Sequence, residues 1–369
     1  MIRLQIEPRP QPSHVMKYGS PLVSALLMAV SGIIIFTILG KNPLVAFHTF
    51  FIEPINDFYG LGELLIKASP LMLIGVGLAI GFRANIWNIG AEGQLAVGAI
   101  AGSGVALYFF QSDAFYIIPL MFIAGCLGGM AWASIPAFLK TRFNTNEILV
   151  SLMLNYVALL LLSYMVHGPW KDPSGYGFPQ SRLFEPSALL PIILDGTRLH
   201  VGILVSLLIV LAGWIFLLKS FIGYQIQVAG LAHKAAHYAG FKHQSLVWVG
   251  LLSGGMAAGL AGVMEVSGPI GQLLPQVSPG YGYAAIIVAF VGRLHPLGIL
   301  LSSLLMALLY LGGESGQMNL DLPSAVTGVF QGMLLFYLLA TDLLVNYRIK
   351  IKSWKKSNIA EAKSTQTSG

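Results

Sequence analysis

A single cysteine, Cys126, stands in a chain of 369 residues, inside an apolar run. It excludes an intrachain disulfide framework and a cysteine-based metal cluster, and reads as a buried, inert thiol. Charge is scarce as well. Asp, Glu, Lys and Arg make up 10% of the residues, against about 25% in a soluble domain, so no sizeable soluble domain fits. G-x-x-x-x-G-K-[ST] does not occur, so this chain holds no nucleotide in a P-loop. Leu252-Ser-Gly-Gly-Met256 resembles the ATPase signature loop in letters, but its apolar run continues to Val266 and its glycines read as helix packing. The eight histidines include no H-E-x-x-H. His233 and His237 have i, i+4 spacing, with His243 nearby, yet no carboxylate or cysteine accompanies them, which favours a solvated surface over a metal site. No nucleophile–base constellation supports a membrane enzyme. Residues 1–18 are polar, hold Pro8, Pro10 and Pro12, and lack the signal-peptide pattern, so this segment is expected to be retained.

What is present is hydrophobic: 56% of the residues, with a mean hydropathy of +0.75. A membrane helix takes about 20 largely apolar residues. Ten stretches qualify: Ser20–Gly40, Gly62–Phe82, Gly90–Phe110, Phe115–Leu139, Glu147–His167, Val201–Leu218, Leu246–Val266, Tyr281–Gly292, Pro296–Gly312 and Pro323–Leu344. The eighth is the shortest. The expected fold is an all-α polytopic membrane helix bundle. Residues 1–19 form a cytoplasmic N-terminal segment, 20–344 the membrane domain and 345–369 a basic cytoplasmic tail. With the N-terminus inside, alternation puts sixteen of the 21 basic residues on the inner side, as the positive-inside rule requires. Six of them fall between Arg348 and Lys363, a juxtamembrane tail, so the net charge of +6 does not signal nucleic acid. Ten helices divide into five and five, and an odd-numbered half repeats upside down, so segments three and eight occupy matching positions.

Between the second and third segments lies Gly81-Phe-Arg-Ala-Asn-Ile-Trp-Asn-Ile-Gly-Ala-Glu-Gly-Gln-Leu95, a polar interruption that lipid cannot satisfy. Asn85, Trp87, Asn88, Glu92 and Gln94 are candidates to line a path. They equally fit a helix junction, with Asn88 as cap and Glu92 in the first turn, where the helix dipole favours a carboxylate. Asn144-Thr-Asn-Glu147 has a capping-box pattern with Asn144 as cap. Glu147 and Asn155 are eight residues apart, close to two turns, so they share a face that either packs or joins the path. Glu265 and Gln331 also fall within or at the ends of apolar runs. Small-xxx-small pairs at Gly98/Gly102, Gly125/Gly129, Gly255/Gly259 and Gly328/Gly332 indicate close helix packing.

Two loops stand out. The outer loop from Gly168 to His200, rich in Pro, Gly and aromatic residues, fits an ordered cap or a docking surface. The inner loop from Lys219 to Gln244 is too polar to span, and Ala229 to Ala239 is Ala-rich and helix-prone. Gly240 is placed to stop that helix. Leu231, Ala235, Tyr238 and Ala239 fall near one face, suited to a groove on a soluble partner or to the bilayer surface.

Four stretches together resemble the permease subunits of bacterial ABC importers of the branched-chain amino acid, ribose and nucleoside group, and the larger nucleoside-uptake permease most of all. They are Gly81–Leu95, Asn144–Tyr156, Ala229–Gly240 and Gly280–Gly298. The resemblance implies a transport subunit in the bacterial cytoplasmic membrane, with both termini cytoplasmic, that binds no cofactor itself. The ATP-Mg belongs to cytoplasmic ATPase subunits. A second related permease and an extracytoplasmic substrate-binding protein complete the machine. Ala229, Gly230, Leu231, Ala235, Ala236, Tyr238, Ala239 and Gly240 then match the helix that seats in an ATPase groove, and nucleosides are the expected cargo. Ribose or another sugar on the same machine stays open. So does a proton- or ion-coupled transporter acting alone, with Glu92, Glu147 and Glu265 as proton sites.

Overall fold

The computed structural model describes residues 2–8 and 14–353. Residues 9–13 and 354–369, which include half of the basic tail, lie outside them. In chain order the helices are α1 (His14–Ile38), α2 (Pro43–Phe47), α3 (Phe58–Arg83), α4 (Ala91–Tyr108), α5 (Ile117–Phe143), α6 (Glu147–His167), α7 (Gly202–Lys219), α8 (Phe221–Leu231), α9 (His233–Tyr238), α10 (His243–Glu265), α11 (Tyr281–Val291), α12 (Pro296–Leu320) and α13 (Ala325–Asn346). Each of the ten expected spans coincides with one of them. Seven helices among the described residues are long and apolar enough to cross a membrane.

The chain divides into two compact units, residues 1–38 with 332–369, and residues 39–331. In the first, β1 (Ile2–Pro8) pairs antiparallel with β2 (Tyr347–Ser353), and Ser24 Oγ lies 2.9 Å from Thr341 Oγ1. Both strands fall outside the expected bundle of residues 20–344, one in the N-terminal segment and one in the tail.

In the second unit α3 is buried almost continuously from Ala68 to Phe82, as a helix apolar on all sides must be. Its start is capped by Asp57, whose carboxylate accepts the Gly60 N–H at 2.7 Å. Beside it α10 touches α3, α4 and α5 through glycine. A Cβ added at Gly259 would lie 2.1 Å from the Gly125 carbonyl oxygen, one at Gly98 would lie 2.2 Å from Gly259 Cα, and one at Gly129 would lie 2.1 Å from the Gly255 carbonyl oxygen. Three of the four small-residue pairs therefore set helix–helix distances. The fourth does not: a Cβ at Gly328 or Gly332 meets nothing within 4 Å.

Two helix starts carry the functional geometry. With 11 residues, α11 rises about 16 Å, roughly half of a ~30 Å hydrocarbon core. It is preceded by a π-helical turn at Val266–Ile270 and by irregular backbone over residues 271–280. The α4 helix is preceded by irregular backbone at residues 84–90. The two starts abut, since a Cβ at Gly282 would lie 2.3 Å from the Glu92 nitrogen.

Candidate functional site

The backbone of residues 84–90 is held by side chains rather than by a regular ladder. Asn88 and Gln94 pair through both amides: Asn88 Nδ2 donates to Gln94 Oε1 at 2.9 Å, and Gln94 Nε2 donates to Asn88 Oδ1 at 3.0 Å. Asn88 Oδ1 also accepts the Gly90 N–H at 3.0 Å. On α6 the buried residues Glu147, Ser151 and Asn155 share a face. Asn155 Oδ1 accepts the Gly93 N–H at 2.9 Å, and its Nδ2 donates to the Ile89 carbonyl at 2.9 Å and to Tyr283 Oη at 3.0 Å. Trp87 closes a triangle of rings, tilted against Phe82 at 5.2 Å and stacked on Phe290 at 5.5 Å, while Phe82 and Phe290 stack at 5.3 Å. In a membrane bundle, irregular backbone is stable only where protein satisfies it, and these side chains do so.

Two capping assignments change. Gly90, not Asn88, holds the cap position of α4, so Asn88 acts on the turn before it. The Glu92 carboxylate, in the first turn of α4, reaches across to the other interrupted helix and accepts the Gly282 N–H at 2.7 Å. One carboxylate thus meets the positive ends of two helices. The cap of α6 also moves. Asn146 accepts the N–H groups of Ile148 and Leu149, while Asn144, at φ 53°, closes α5 in the left-handed conformation. Glu147 pairs with Lys140 at 2.9 Å.

The inner segment differs from the single helix expected over Ala229–Ala239. It forms α8 and α9, with a break at Ala232 (φ −148°, ψ 76°), and Gly240 follows α9 at φ 77°. Ala229 and Ala236 both face a core with Ile226, Leu246, Ile80 and Ala84. Leu231 and Tyr238 are left 81% and 94% exposed, beside exposed Ala235 and Ala239. This segment is clamped to the α3–α4 junction. Gly230 packs so closely that an added Cβ would stand 1.9 Å from the Arg83 carbonyl oxygen, and Asn85 Nδ2 donates to the Gly230 carbonyl at 2.8 Å. Asn85 holds that position at φ 57°. From the same turn, Arg83 Nε donates to the Leu294 carbonyl at 2.9 Å, on the loop between α11 and α12. Asn85, Gly230 and Arg83 therefore join the inner segment to both interrupted helices.

At the other end of α3 lies a cavity of about 360 Å³. Its charged walls are two ion pairs. Arg198 makes a bidentate contact with Glu63 at 2.6 and 2.8 Å, and Lys67 meets Glu314 at 2.8 Å. Glu265, Gln276, Ser278 and Tyr281 complete its polar lining. The outer loop is an ordered cover over the irregular backbone beside it: Ser181 N–H donates to the Leu273 carbonyl at 3.0 Å, Phe184 N–H to that of Gly271 at 2.9 Å and Leu190 N–H to that of Ser267 at 2.8 Å. The Glu63 carboxylate raises the Arg198 guanidinium above its ordinary range. Burial pushes the His200 imidazole down to about 4, with Glu63 opposing. Neutral His200 accepts the Gly202 N–H through Nδ1 at 3.1 Å. Sequence reasoning passed over this cavity. The one available signal was Glu63 with Lys67, two charges a turn apart in an apolar helix.

Residues 60–339 match the family described as branched-chain amino acid transport system / permease component. The glucose ABC transporter permease protein TsgB13 of Haloferax volcanii is 33% identical, across 99% of this chain and 98% of its own length. The guanosine ABC transporter permease protein NupP of Bacillus subtilis is 30% identical, across 86% and 91%. The nucleoside ABC transporter permease protein NupB of Lactococcus lactis is 26% identical, across 93% and 96%.

Proposed function

The chain belongs to the branched-chain amino acid transport system permease family, and from that membership we propose that its cargo is nucleosides. It is the multi-pass membrane permease subunit of an ABC transporter, and ATP hydrolysis belongs to separate subunits. Residues 20–344 are its membrane domain, between a cytoplasmic N-terminal segment and a cytoplasmic tail. A second related permease, two ATPase subunits and an extracytoplasmic binding protein complete the importer.

The observation that carries the mechanism is the clamp between the inner segment and the α3–α4 junction. The exposed face of Leu231, Ala235, Tyr238 and Ala239 seats in an ATPase groove. Movement of that face reaches residues 84–90 through Gly230 and Asn85, and reaches the start of α11 through Glu92. Asn88, Gln94, Asn155 and Trp87 keep the junction rigid enough to transmit the movement. Nucleosides are supported by relatives named for guanosine and nucleosides, and by a cavity lined by Gln276, Ser278, Tyr281 and paired charges, which suit a neutral polar solute.

A second reading, a sugar as cargo, is favoured by the relative named for glucose. Uptake of labelled guanosine in cells with and without the gene separates the two. Unlabelled nucleosides should compete and glucose or ribose should not. Competition by glucose with none by nucleosides would overturn the nucleoside assignment.

A further inference from the structure

We infer that the cavity at the outer end of α3, α10 and α12 is a loading site for a neutral polyhydroxylated ring, whose vicinal hydroxyls donate to the Glu265 carboxylate. This inference rests on the permease reading above and holds for a nucleoside or a free sugar alike.

Glu265 is buried, is the last residue of α10 and lines the cavity. Among the described residues its carboxylate has no hydrogen bond or ion pair. Lys67, which lines the same cavity, is already held by Glu314 at 2.8 Å. A buried carboxylate with free acceptor sites is costly until donors arrive, and two adjacent hydroxyls are the donor pair that matches its two oxygens. The remaining charges decide what is turned away. Glu63–Arg198 and Lys67–Glu314 are paired, so among the described residues the lining offers no free cation to hold a phosphate or carboxylate. At about 360 Å³, the cavity falls within the ~300–1,000 Å³ of small-molecule sites, and Ile66, Pro269, Ile270, Val277 and Pro279 give a ring apolar surface to lie on.

The site also touches the transport machinery. Ser278 and Tyr281 line it, and Ser278 Oγ accepts the N–H groups of Gly280 and Tyr281 at 3.0 and 2.8 Å. A ring in the cavity therefore rests on the start of α11.

Equilibrium binding to the purified permease–ATPase complex, without the binding protein, tests this. Labelled ribonucleoside and labelled glucose are each displaced by the parent compound and by its vicinal-dideoxy analogue. For whichever parent binds, it should outcompete the analogue by about tenfold or more. Glu265→Gln should bring that ratio within twofold by weakening the parent, and Glu265→Asp should restore part of it. An unchanged ratio in Glu265→Gln overturns the inference. If the variants fail to assemble, wild-type complex that binds parent and analogue equally overturns it. Binding of glucose with none of the nucleoside removes the nucleoside assignment and leaves this inference standing.

Discussion

Gly230→Ala is the sharpest perturbation of the proposed transmission. The new methyl would stand 1.9 Å from the Arg83 carbonyl oxygen, where ordinary contact begins at 3.4 Å, so the inner segment must retreat from the junction by about 1.5 Å. That retreat breaks the 2.8 Å bond from Asn85 to the Gly230 carbonyl. Overpacking costs about 1–3 kcal/mol and the lost hydrogen bond about 0.5–1.5 kcal/mol, together about 1.5–4.5 kcal/mol against the engaged state. The exposed face of Leu231 and Tyr238 is untouched, so the ATPase still docks. Complexes reconstituted in vesicles should hydrolyse ATP near the wild-type rate while uptake per ATP falls by at least about tenfold, since each 1.4 kcal/mol is a factor of ten. Asn85 supplies an internal scale. Asn85→Gly keeps the left-handed backbone and loses only the hydrogen bond, for about a two- to tenfold fall, and Asn85→Ala adds about 1–2 kcal/mol of backbone strain. The expected order of damage is Asn85→Gly, then Asn85→Ala, then Gly230→Ala. Wild-type uptake per ATP in Gly230→Ala, or the reverse order, would refute the reasoning.

Three further outcomes follow. Burial holds His200 neutral at about 4, below the ~6.5 of an unfolded histidine. The unfolded chain therefore binds the extra proton first, and stability present above pH 6.5 is lost as pH falls toward 4. The loss should be about 2 kcal/mol by pH 5, read as a falling Tm of the solubilised complex, and His200→Asn should flatten that slope. Glu at both Leu231 and Tyr238 should abolish co-purification of the ATPase while leaving the Tm of the permease within a few degrees. Gly259→Val should prevent stable packing of α10 on α5, because even a methyl at Gly259 overlaps the Gly125 carbonyl. The readout is loss of a folded, monodisperse species on size-exclusion chromatography.

Length and hydropathy are local properties, which is why the ten apolar helices, the brevity of α11 and the polar interruption at Gly81–Leu95 were legible in the sequence. Capping was legible only in part. Asn144-Thr-Asn146 offers two asparagines, and which one starts α6 depends on where α5 ends, here at Asn144 itself. Alanine favours a continuous helix over Ala229–Ala239, and Ala229 and Ala236, seven residues apart, would share one face of it; the break at Ala232 is a tertiary feature that propensity does not carry. Glu92 lay in the expected helix, yet its partner Gly282 is 190 residues away. The ion pairs around the cavity at the Glu63 end of α3 join residues 135 and 247 positions apart, so no sequence window holds them together.

Uptake of labelled nucleoside into vesicles tests the central claim most directly. One preparation holds this chain with its second permease and ATPase subunits, loaded with ATP on the ATPase side and supplied with the binding protein. The other holds this chain alone under an imposed proton gradient. The account predicts accumulation in the first that stops when ATP is withheld, and none in the second. Accumulation by the chain alone, driven by the gradient and indifferent to ATP, would contradict it.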